Sequence, residues 1–381
     1  MYDYNNIFII LATKLHSYYT INMIMLTPNI LYNDNSLSEK PKFKYLSQLA
    51  LLLLLLGGAL LIAGIVQFII GITLIEKNVP IDKWGEAMMT ALNNPKNANA
   101  MRWMQLLSAF VMFFLPAFLW SIIISKNAFK YLGFNAIINA KQIAIVVAIS
   151  FMALILSGAL GELNQMIPIS KEWASTFKKM ENAYNDQITS IIHMSNVAEY
   201  FFVLIVIAFA PAIFEEVLFR GGLQQLLTNW TKRPLLAIII TSIIFSAVHL
   251  SYYGFLPRLA LGLVLGLLYY YGKNIWLNIL MHLLNNGISV TAVFLLSKNG
   301  KLPKEVIDET FPIYYGIIPL IAIVFLLKLF KKESTTLQPQ ETIVYLKREE
   351  NPFDAQQAIP AQYSEQTINT STNDGTEPNN I

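Results

Sequence analysis

Long uninterrupted apolar runs constrain this chain more than any other feature. Residues 49–70, LALLLLLLGGALLIAGIVQFII, contain one polar side chain, Gln67. A helix rises about 1.5 Å per residue, so such a run is long enough to cross a hydrocarbon core of about 30 Å. Only 13% of the residues are charged, whereas a soluble domain averages about 25%. The bulk of the chain is therefore predicted to lie in a membrane.

Apolar blocks of this kind recur along the chain and predict an all-α, polytopic bundle of about eight transmembrane helices. The predicted spans are 45–75, 104–125, 142–163, 197–227, 234–250, 255–272, 275–296 and 314–330. Residues 44–332 form the predicted bundle. Residues 1–43 are interpreted as an N-terminal cytoplasmic segment, in which Met23 or Met25 is an equally acceptable first residue. The polar residues 333–381 are predicted to be a disordered cytoplasmic tail.

The basic residues predict the orientation of the bundle. If the spans alternate, one side carries Lys40, Lys42, Lys44, Lys126, Lys130, Lys141, Lys232, Arg233, Lys273, Lys331 and Lys332. The positive-inside rule makes that side cytoplasmic. Both termini are then cytoplasmic, and the protein is an integral membrane protein, of the inner membrane if it is bacterial. The connection 164–196 is predicted to form an amphipathic helix on the outer surface.

Composition also excludes several classes of site. The chain has no Cys, so disulfides, thiolate nucleophiles and Cys-ligated zinc are excluded. A net charge of +3 gives no reason to expect nucleic acid as a partner. Any metal must be held by His, Asp or Glu. There is no HExxH sequence, so a metal site would have to be assembled from several spans.

Ionisable residues inside predicted spans are the functional candidates, because burying a charge without a partner is costly. The fourth span carries Glu215, Glu216 and Arg220, the fifth ends in FSAVHL with His249, and the seventh contains MHLLNN with His282 and Asn286. Each set alone has an ordinary explanation as an ion pair, an interfacial histidine or a helix-packing contact. Three sets on three spans are harder to explain separately.

Helix spacing assigns roles to the two adjacent carboxylates. Residues four apart share a face, so Arg220 is expected to pair with Glu216. Two carboxylates close together in a low-dielectric environment cannot both ionise easily. Glu215 is therefore the expected general base, facing a cavity. The reverse assignment stays open, because Pro211 and the Gly221-Gly222 pair predict an irregular helix.

The ordered set Glu215-Glu216-x-x-x-Arg220, Phe245-x-x-x-His249 and His282-x-x-x-Asn286 resembles the CPBP family. This family comprises CAAX prenyl endopeptidases and bacteriocin-processing, abortive-infection-type intramembrane proteases. The three motifs cover about residues 197–296, the predicted protease core, and no motif position departs from the family pattern. The other spans and both terminal segments are outside the resemblance.

The resemblance implies an intramembrane endopeptidase that acts on a membrane-associated peptide or protein. Glu215 would activate the water, His249 and His282 would hold a metal or position that water, and Asn286 would help to stabilise the oxyanion. Glu216 and Arg220 would support these groups. Neutral imidazoles suit zinc or another divalent metal; without a metal, Glu215 alone could activate water.

Two other functions stay open from the residues alone. Buried Glu, Arg and His also form proton relays in transporters, and polar groups in a non-catalytic scaffold can serve only for packing.

The protease interpretation requires that His249 and His282 lie at the same depth in the membrane. Straight helices would leave His249 near the outer end of its span and His282 about 10 Å from the inner side. A catalytic site requires them at one depth.

Overall fold

The computed structural model of the chain describes residues 43–92, 94–134, 137–298 and 312–337. The predicted N-terminal segment, apart from Phe43, and the two alternative first residues lie outside the described residues. The predicted tail also lies outside them, except for residues 333–337. These five residues continue the last helix, which ends at Leu337 rather than at 330 as predicted.

Nine helices of 14 residues or more make up the described chain. They are α1 Tyr45–Thr73, α2 Pro95–Ile124, α3 Ala140–Met166, α4 Lys171–Ile192, α5 Val197–Thr231, α6 Pro234–Ala247, α7 Phe255–Gly272, α8 Ile275–Lys298 and α9 Ile313–Leu337. The short helices Trp84–Leu92 and Ala128–Tyr131 lie in connections. Seven of these helices, all except α4 and α6, are long and apolar enough to cross a membrane. With α6, the described chain forms the predicted all-α bundle.

Hydrogen bonds between helix ends show antiparallel pairs, as expected for membrane helices that alternate in direction. The end of α2 meets the start of α1, where Trp120 Nε1 donates to Gln48 O at 2.8 Å. At the other end, Leu256 N at the start of α7 donates to Asn164 Oδ1 at the end of α3, at 2.8 Å. The end at which α1 begins, here named the basic end, carries Lys130, Lys232, Arg233, Lys273, Lys331 and Lys332. Its assignment to the cytoplasm stays a prediction.

In two of the membrane helices, α2 and α5, a π-helical segment lies just before a proline. In α2 the segment is Phe110–Phe114, and Pro116 follows. In α5 the segment is Leu204–Phe209, and Pro211 follows. A proline lacks the amide hydrogen and its ring crowds the carbonyl four residues earlier, so a wider turn relieves both problems. A second π-helical segment in α5, Val217–Gln224, begins directly after Glu216. The predicted irregularity around the carboxylates is confirmed.

Helix α6 is shorter than the span predicted from the sequence. It ends at Ala247, so the prediction that His249 lies inside a span running to 250 is wrong. Its 14 residues rise only about 21 Å, which is less than the thickness of a hydrocarbon core. The end of α6 therefore lies within the bundle, and His249 occupies the turn that follows.

Helix α4 packs on the loop between α6 and α7, at the end of the bundle opposite the basic end. Phe177 stacks on Tyr252 at a ring-centroid distance of 4.6 Å, Ser251 Oγ donates to Glu181 at 2.8 Å, and Arg258 Nη2 donates to Tyr184 at 3.2 Å. The other end of α4 is fixed by the buried Arg102 of α2, which donates from Nε to Ile191 O at 3.0 Å. The helix predicted for 164–196 is confirmed over Lys171–Ile192.

The GLVLG sequence of α7 is a packing face, as its spacing suggests. A Cβ atom added to Gly262 would lie 3.0 Å from Ser242, and one added to Gly266 would lie 2.7 Å from Ile238, both in α6. The close approach has a second effect. The carbonyl of Gly262 accepts from Arg220 at 3.2 Å, and that of Gly266 accepts from Gln224 at 2.9 Å. The glycines thus let polar side chains of α5 reach the α7 backbone.

Candidate active site

The α5 carboxylate Glu216 is the centre of a buried polar cluster. It accepts from Arg220 Nη1 at 2.6 Å, from His282 Nδ1 at 3.0 Å and from Asn278 Nδ2 at 3.3 Å. The side chains of Glu216 and Arg220 are both 0% exposed. An ionised carboxylate can only accept hydrogen bonds, and each of these three neighbours can donate one. These four residues, Glu216, Arg220, Asn278 and His282, are named the buried cluster. The predicted Glu216–Arg220 pair is confirmed.

Asn278 was not among the residues selected from the sequence. It lies four residues before His282 on α8, and its amide also donates to Leu265 O at 2.7 Å. The spacing Asn278, His282, Asn286 places three polar side chains on one helix face. That repeat was the available signal. It was missed because Asn278 lies before the MHLLNN sequence from which His282 and Asn286 were selected.

Glu215 has surroundings unlike those of its neighbour. Its carboxylate makes no hydrogen bond within the described chain, and it lies near His282, with 3.9 Å between Oε2 and Nε2. The side chain is 13% exposed, against 0% for Glu216. A distance of 3.9 Å is too long for a direct hydrogen bond. A single water can bridge such a gap, since each polar atom would lie within hydrogen-bond reach of it.

The imidazole of His282 therefore joins the two carboxylates. Because an ionised carboxylate can only accept, Nδ1 carries the hydrogen that is donated to Glu216. In the neutral ring this leaves a lone pair on Nε2, the atom that faces Glu215. The contact with Glu216 thus sets both the ring orientation and the tautomer of His282, which lies beside Glu215, the expected general base.

Phe245 of α6 brings the two histidines to the same part of the bundle. Its ring centroid lies 5.2 Å from that of His249 and 6.1 Å from that of His282. The guanidinium of Arg220 lies over the same ring at 4.7 Å. Because α6 ends at Ala247, the turn that follows brings His249 beside the ring that His282 also contacts. The two imidazoles, which straight, full-length spans would separate, thus share one aromatic neighbour.

The turn that carries His249 is held by its own backbone. His249 Nδ1 is 2.7 Å from Phe245 O, and a carbonyl can only accept, so Nδ1 carries the hydrogen and the neutral Nε2 is an acceptor. The next residue, Leu250, has φ 52. This left-handed conformation is uncommon for a side chain other than Gly, Asn or Asp. Backbone strain of this kind concentrates at functional sites.

Asn286 lies one turn beyond His282 on α8 and binds the irregular part of α5. Its Nδ2 donates to Ile207 O at 3.2 Å, and its Oδ1 accepts from Asn285 at 3.3 Å. Ile207 belongs to the first π-helical segment of α5. One amide hydrogen of Asn286 is used in this contact, which leaves the second one for another acceptor. Glu215, His249 and Asn286, each with unused bonding capacity and partial exposure, are named the open group.

The predicted metal ligands, His249 and His282, each keep a lone pair on Nε2, while Nδ1 faces a protein acceptor. Among the residues that the structure describes, no three or more His, Asp or Glu side chains are grouped as they would be around a metal ion. One nitrogen of His282 is already bound to Glu216, and one nitrogen of His249 lies against a backbone carbonyl. Whether the reaction needs a metal stays a prediction to be tested, and the steps proposed below use only the side chains of this chain.

The family model of Rce1-like type II CAAX prenyl endopeptidases matches residues 197–288. This part of the chain is similar to a CAAX-type intramembrane protease domain and is here named the CAAX-type domain. No curated protein and no solved structure matched the chain. The CAAX-type domain begins at the first residue of α5 and ends in the middle of α8, so it contains every member of the buried cluster and of the open group. Helices α1 to α4 and α9 lie outside the match.

The CAAX-type domain thus accounts for the order of the motifs, while the structure shows their contacts. Four of the six predicted residues, Glu215, Glu216, Arg220 and His282, form one continuous set of polar contacts. His249 joins them through Phe245. Among the described contacts, Asn286 does not reach that set and instead binds α5 at Ile207.

Proposed function

We propose that the protein is an endopeptidase in which Glu215 activates a water to hydrolyse a peptide bond of a membrane-associated substrate. The observation that carries this proposal is the difference between the two adjacent carboxylates. Glu216 accepts three hydrogen bonds, whereas Glu215 accepts none and faces the free nitrogen of His282. A carboxylate that is held close to a histidine but left unbonded can take a proton from water.

In the first step, a water donates one hydrogen bond to Glu215 and the other to His282 Nε2. Its lone pairs then point toward the scissile carbonyl. Glu215 takes one proton while the water oxygen bonds to the carbonyl carbon, and the carbonyl π electrons move onto its oxygen. His249 presents a second Nε2 acceptor beside Phe245, and we assign it to accepting a hydrogen bond from the substrate amide.

In the second step, the tetrahedral intermediate collapses. The oxyanion is expected to accept a hydrogen bond from the second amide hydrogen of Asn286, which stabilises developing charge in a site of low dielectric constant. Glu215 returns its proton to the departing nitrogen as the carbon–nitrogen bond breaks. The products are a carboxylic acid and an amine, and the carboxylate of Glu215 is regenerated; the new acid then gives its remaining proton to the amine or to water.

The buried cluster supports these steps without contacting the substrate. Arg220 neutralises Glu216, so that the negative charge of a second carboxylate does not oppose ionisation of Glu215. Asn278 and Glu216 hold the imidazole of His282 in one orientation. We also propose that the reaction proceeds without zinc or another divalent metal, because among the described residues no third candidate ligand is grouped with His249 and His282.

The proposal is tested with the purified full chain in proteoliposomes of phosphatidylcholine and phosphatidylglycerol. The substrates are a farnesylated CAAX peptide and a pool of unmodified transmembrane peptides, with cleavage followed by mass spectrometry. We expect the wild-type chain to cleave at least one of these substrates and Glu215→Gln to cleave none. Equal cleavage by the two would remove Glu215 from its role. A folded wild-type chain that cleaves neither class would favour the scaffold or transporter interpretation.

A further inference from the structure

A cavity outside the protease domain lies between the first turns of α3 and the last turns of α9. Its volume is about 380 Å³, and it is lined by Lys141, Ala144, Ile145, Leu329, Lys332 and Glu333. On each helix the lining residues are spaced at i, i+3 and i+4, so each helix contributes one continuous strip of its surface.

The walls of this groove are fixed by hydrogen bonds between the two helices. Asn139 Nδ2 donates to Glu333 Oε1 at 2.7 Å, and Gln142 Nε2 donates to Ser334 Oγ at 2.9 Å. Both Gln142 and Ser334 are buried. A capping box formed by Asn139 and Gln142 also fixes the first turn of α3. The groove is therefore preformed, so filling it does not require the two helices to move.

The charged residues of the groove leave it with an excess of positive charge. Two lysines and one glutamate give a net charge of +1. Neither Lys141 nor Lys332 forms an ion pair with another described residue, whereas Glu333 accepts a hydrogen bond from Asn139. Lys141 also lies in the first turn of α3, where the helix dipole favours negative charge. An anionic group placed between the two lysines would be attracted by both.

The position of the groove indicates what that anionic group belongs to. Helix α3 begins and α9 ends at the basic end of the bundle, where the membrane helices reach the headgroup region. The lysines lie at the mouth of the groove, while Ala144, Ile145 and Leu329 lie nearer the middle of their helices. A basic rim above an apolar floor is complementary to a phospholipid, with its headgroup at the rim and an acyl chain along the floor.

We propose that this groove binds one anionic phospholipid, with its phosphate between Lys141 and Lys332 and an acyl chain against Ala144, Ile145 and Leu329. The site would fasten α9 to α3 at the membrane boundary. It shares no residue with the buried cluster or the open group, so it is independent of the proposed proteolysis.

The test uses the purified full chain in a nonionic detergent. Dioleoyl phosphatidylglycerol is added to one sample, dioleoyl phosphatidylcholine to a second and inorganic phosphate to a third. The thermal unfolding midpoint and the bound lipid, by native mass spectrometry, are then measured. We expect phosphatidylglycerol to raise the midpoint of the wild-type chain and to remain bound as one molecule. Phosphatidylcholine and inorganic phosphate should each produce less than half of that shift.

Three variants decide whether the lipid occupies this groove. Lys141→Gln with Lys332→Gln should lose more than half of the shift caused by phosphatidylglycerol. Lys130→Gln with Lys232→Gln removes the same charge from the same end of the bundle and should keep it. Ala144→Trp fills the apolar floor, keeps both lysines, and should also lose the shift.

Full retention of the shift in both groove variants would overturn the proposal. So would an equal loss in the Lys130/Lys232 control, because that result would indicate general attraction of anionic lipid to the basic end. A shift of the midpoint with inorganic phosphate equal to that with phosphatidylglycerol would indicate an anion site to which the acyl chain contributes nothing. That result would also overturn the proposal. The effect is measured on unfolding and lipid retention, so it does not depend on finding a substrate.

Discussion

The buried cluster and the open group lie side by side, but their side chains are bonded in different ways. In the buried cluster, Glu216, Arg220 and His282 contact one another directly and are almost fully inaccessible. In the open group, Glu215 makes no hydrogen bond to any residue that the structure describes, and His249 and Asn286 each bind a backbone carbonyl with part of their capacity. A hydrolytic site needs both conditions, because some groups must be fixed while others stay available to water and substrate.

The largest expected effect comes from replacing the unbonded carboxylate of Glu215 with a neutral group, which tests the difference between the open group and the buried cluster. Glu215→Gln keeps the size of the side chain and removes the base, so cleavage is expected to fall by about 10²- to 10⁴-fold. The unfolding midpoint should stay the same, since no hydrogen bond is lost. Glu172→Gln, a matched change on the exposed face of α4, should leave both quantities unaltered. A large fall in the midpoint of Glu215→Gln would mean that Glu215 is a structural residue as well.

The next largest effect is a loss of stability, expected when a residue of the buried cluster is replaced. Arg220→Met leaves the buried carboxylate of Glu216 without its cation, at a cost of about 3–5 kcal/mol. Thermal unfolding in detergent measures this, with the exposed Arg233→Met as control. The double variant Glu216→Leu/Arg220→Met should be more stable than Arg220→Met alone, because no uncompensated charge stays buried. If the double variant were less stable than Arg220→Met alone, the unpaired charge of Glu216 would not be the cause of the lost stability.

Asn278 and Asn286 of α8 should show a smaller difference between the buried cluster and the open group. Asn278→Ala removes two buried hydrogen bonds and should lower the free energy of unfolding by about 1–3 kcal/mol. Asn286→Ala should change stability less but reduce the rate of cleavage at saturating substrate by about 10²-fold, if it donates to the oxyanion. Measuring unfolding and cleavage for both variants tests the division. A stable Asn278→Ala with unchanged activity would contradict it.

A packing change outside both regions gives a modest effect. Gly266→Ala would place a methyl group 2.7 Å from Ile238 and 3.0 Å from Gln224, and overpacking of this kind costs about 1–3 kcal/mol. Gly64→Ala in α1 has nothing within 4 Å of the added carbon, so it should leave the unfolding midpoint unaltered. Equal midpoints for the two variants would show that α6 can move away from α7.

The smallest expected effect is that of a chelator. Incubation with EDTA should leave the cleavage rate unchanged, and elemental analysis of the purified chain should find less than one equivalent of metal. Loss of activity with EDTA that zinc restores, but that magnesium does not, would show that His249 and His282 move together to hold a metal during the reaction.

The sequence determined the membrane helices well where apolar blocks end at turn-forming residues. Helix α7 has the predicted bounds 255–272, because Gly254 precedes it and Lys273-Asn274 follow it. The Glu216–Arg220 contact was also predictable, since it depends only on spacing within one helix. The end of α6 was not. The sequence FSAVHLSYYG continues apolar past Ala247, and the turn is made by Leu250, a residue type that does not usually mark a helix end.

Contacts between helices were the other part that the sequence could not provide. The positions of Asn278 beside Glu216 and of Asn286 beside Ile207 depend on how α8 is rotated against α5. That rotation follows from packing around the π-helical segments, which shift the helix face by a fraction of a turn. Residue spacing alone carries no information about it. The resemblance to a protease family supplied the order of the motifs but not these contacts.

The length of α6 has a consequence for engineering this protein. Every added turn of helix would carry the imidazole at 249 about 5.4 Å farther along the axis, while Phe245, Arg220 and the α8 histidine would keep their places. Insertions in the first turn of α6 and in its last turn are therefore not equivalent. The first would shift the whole hydrophobic segment against α7, and the second would displace a single ring from the reaction centre.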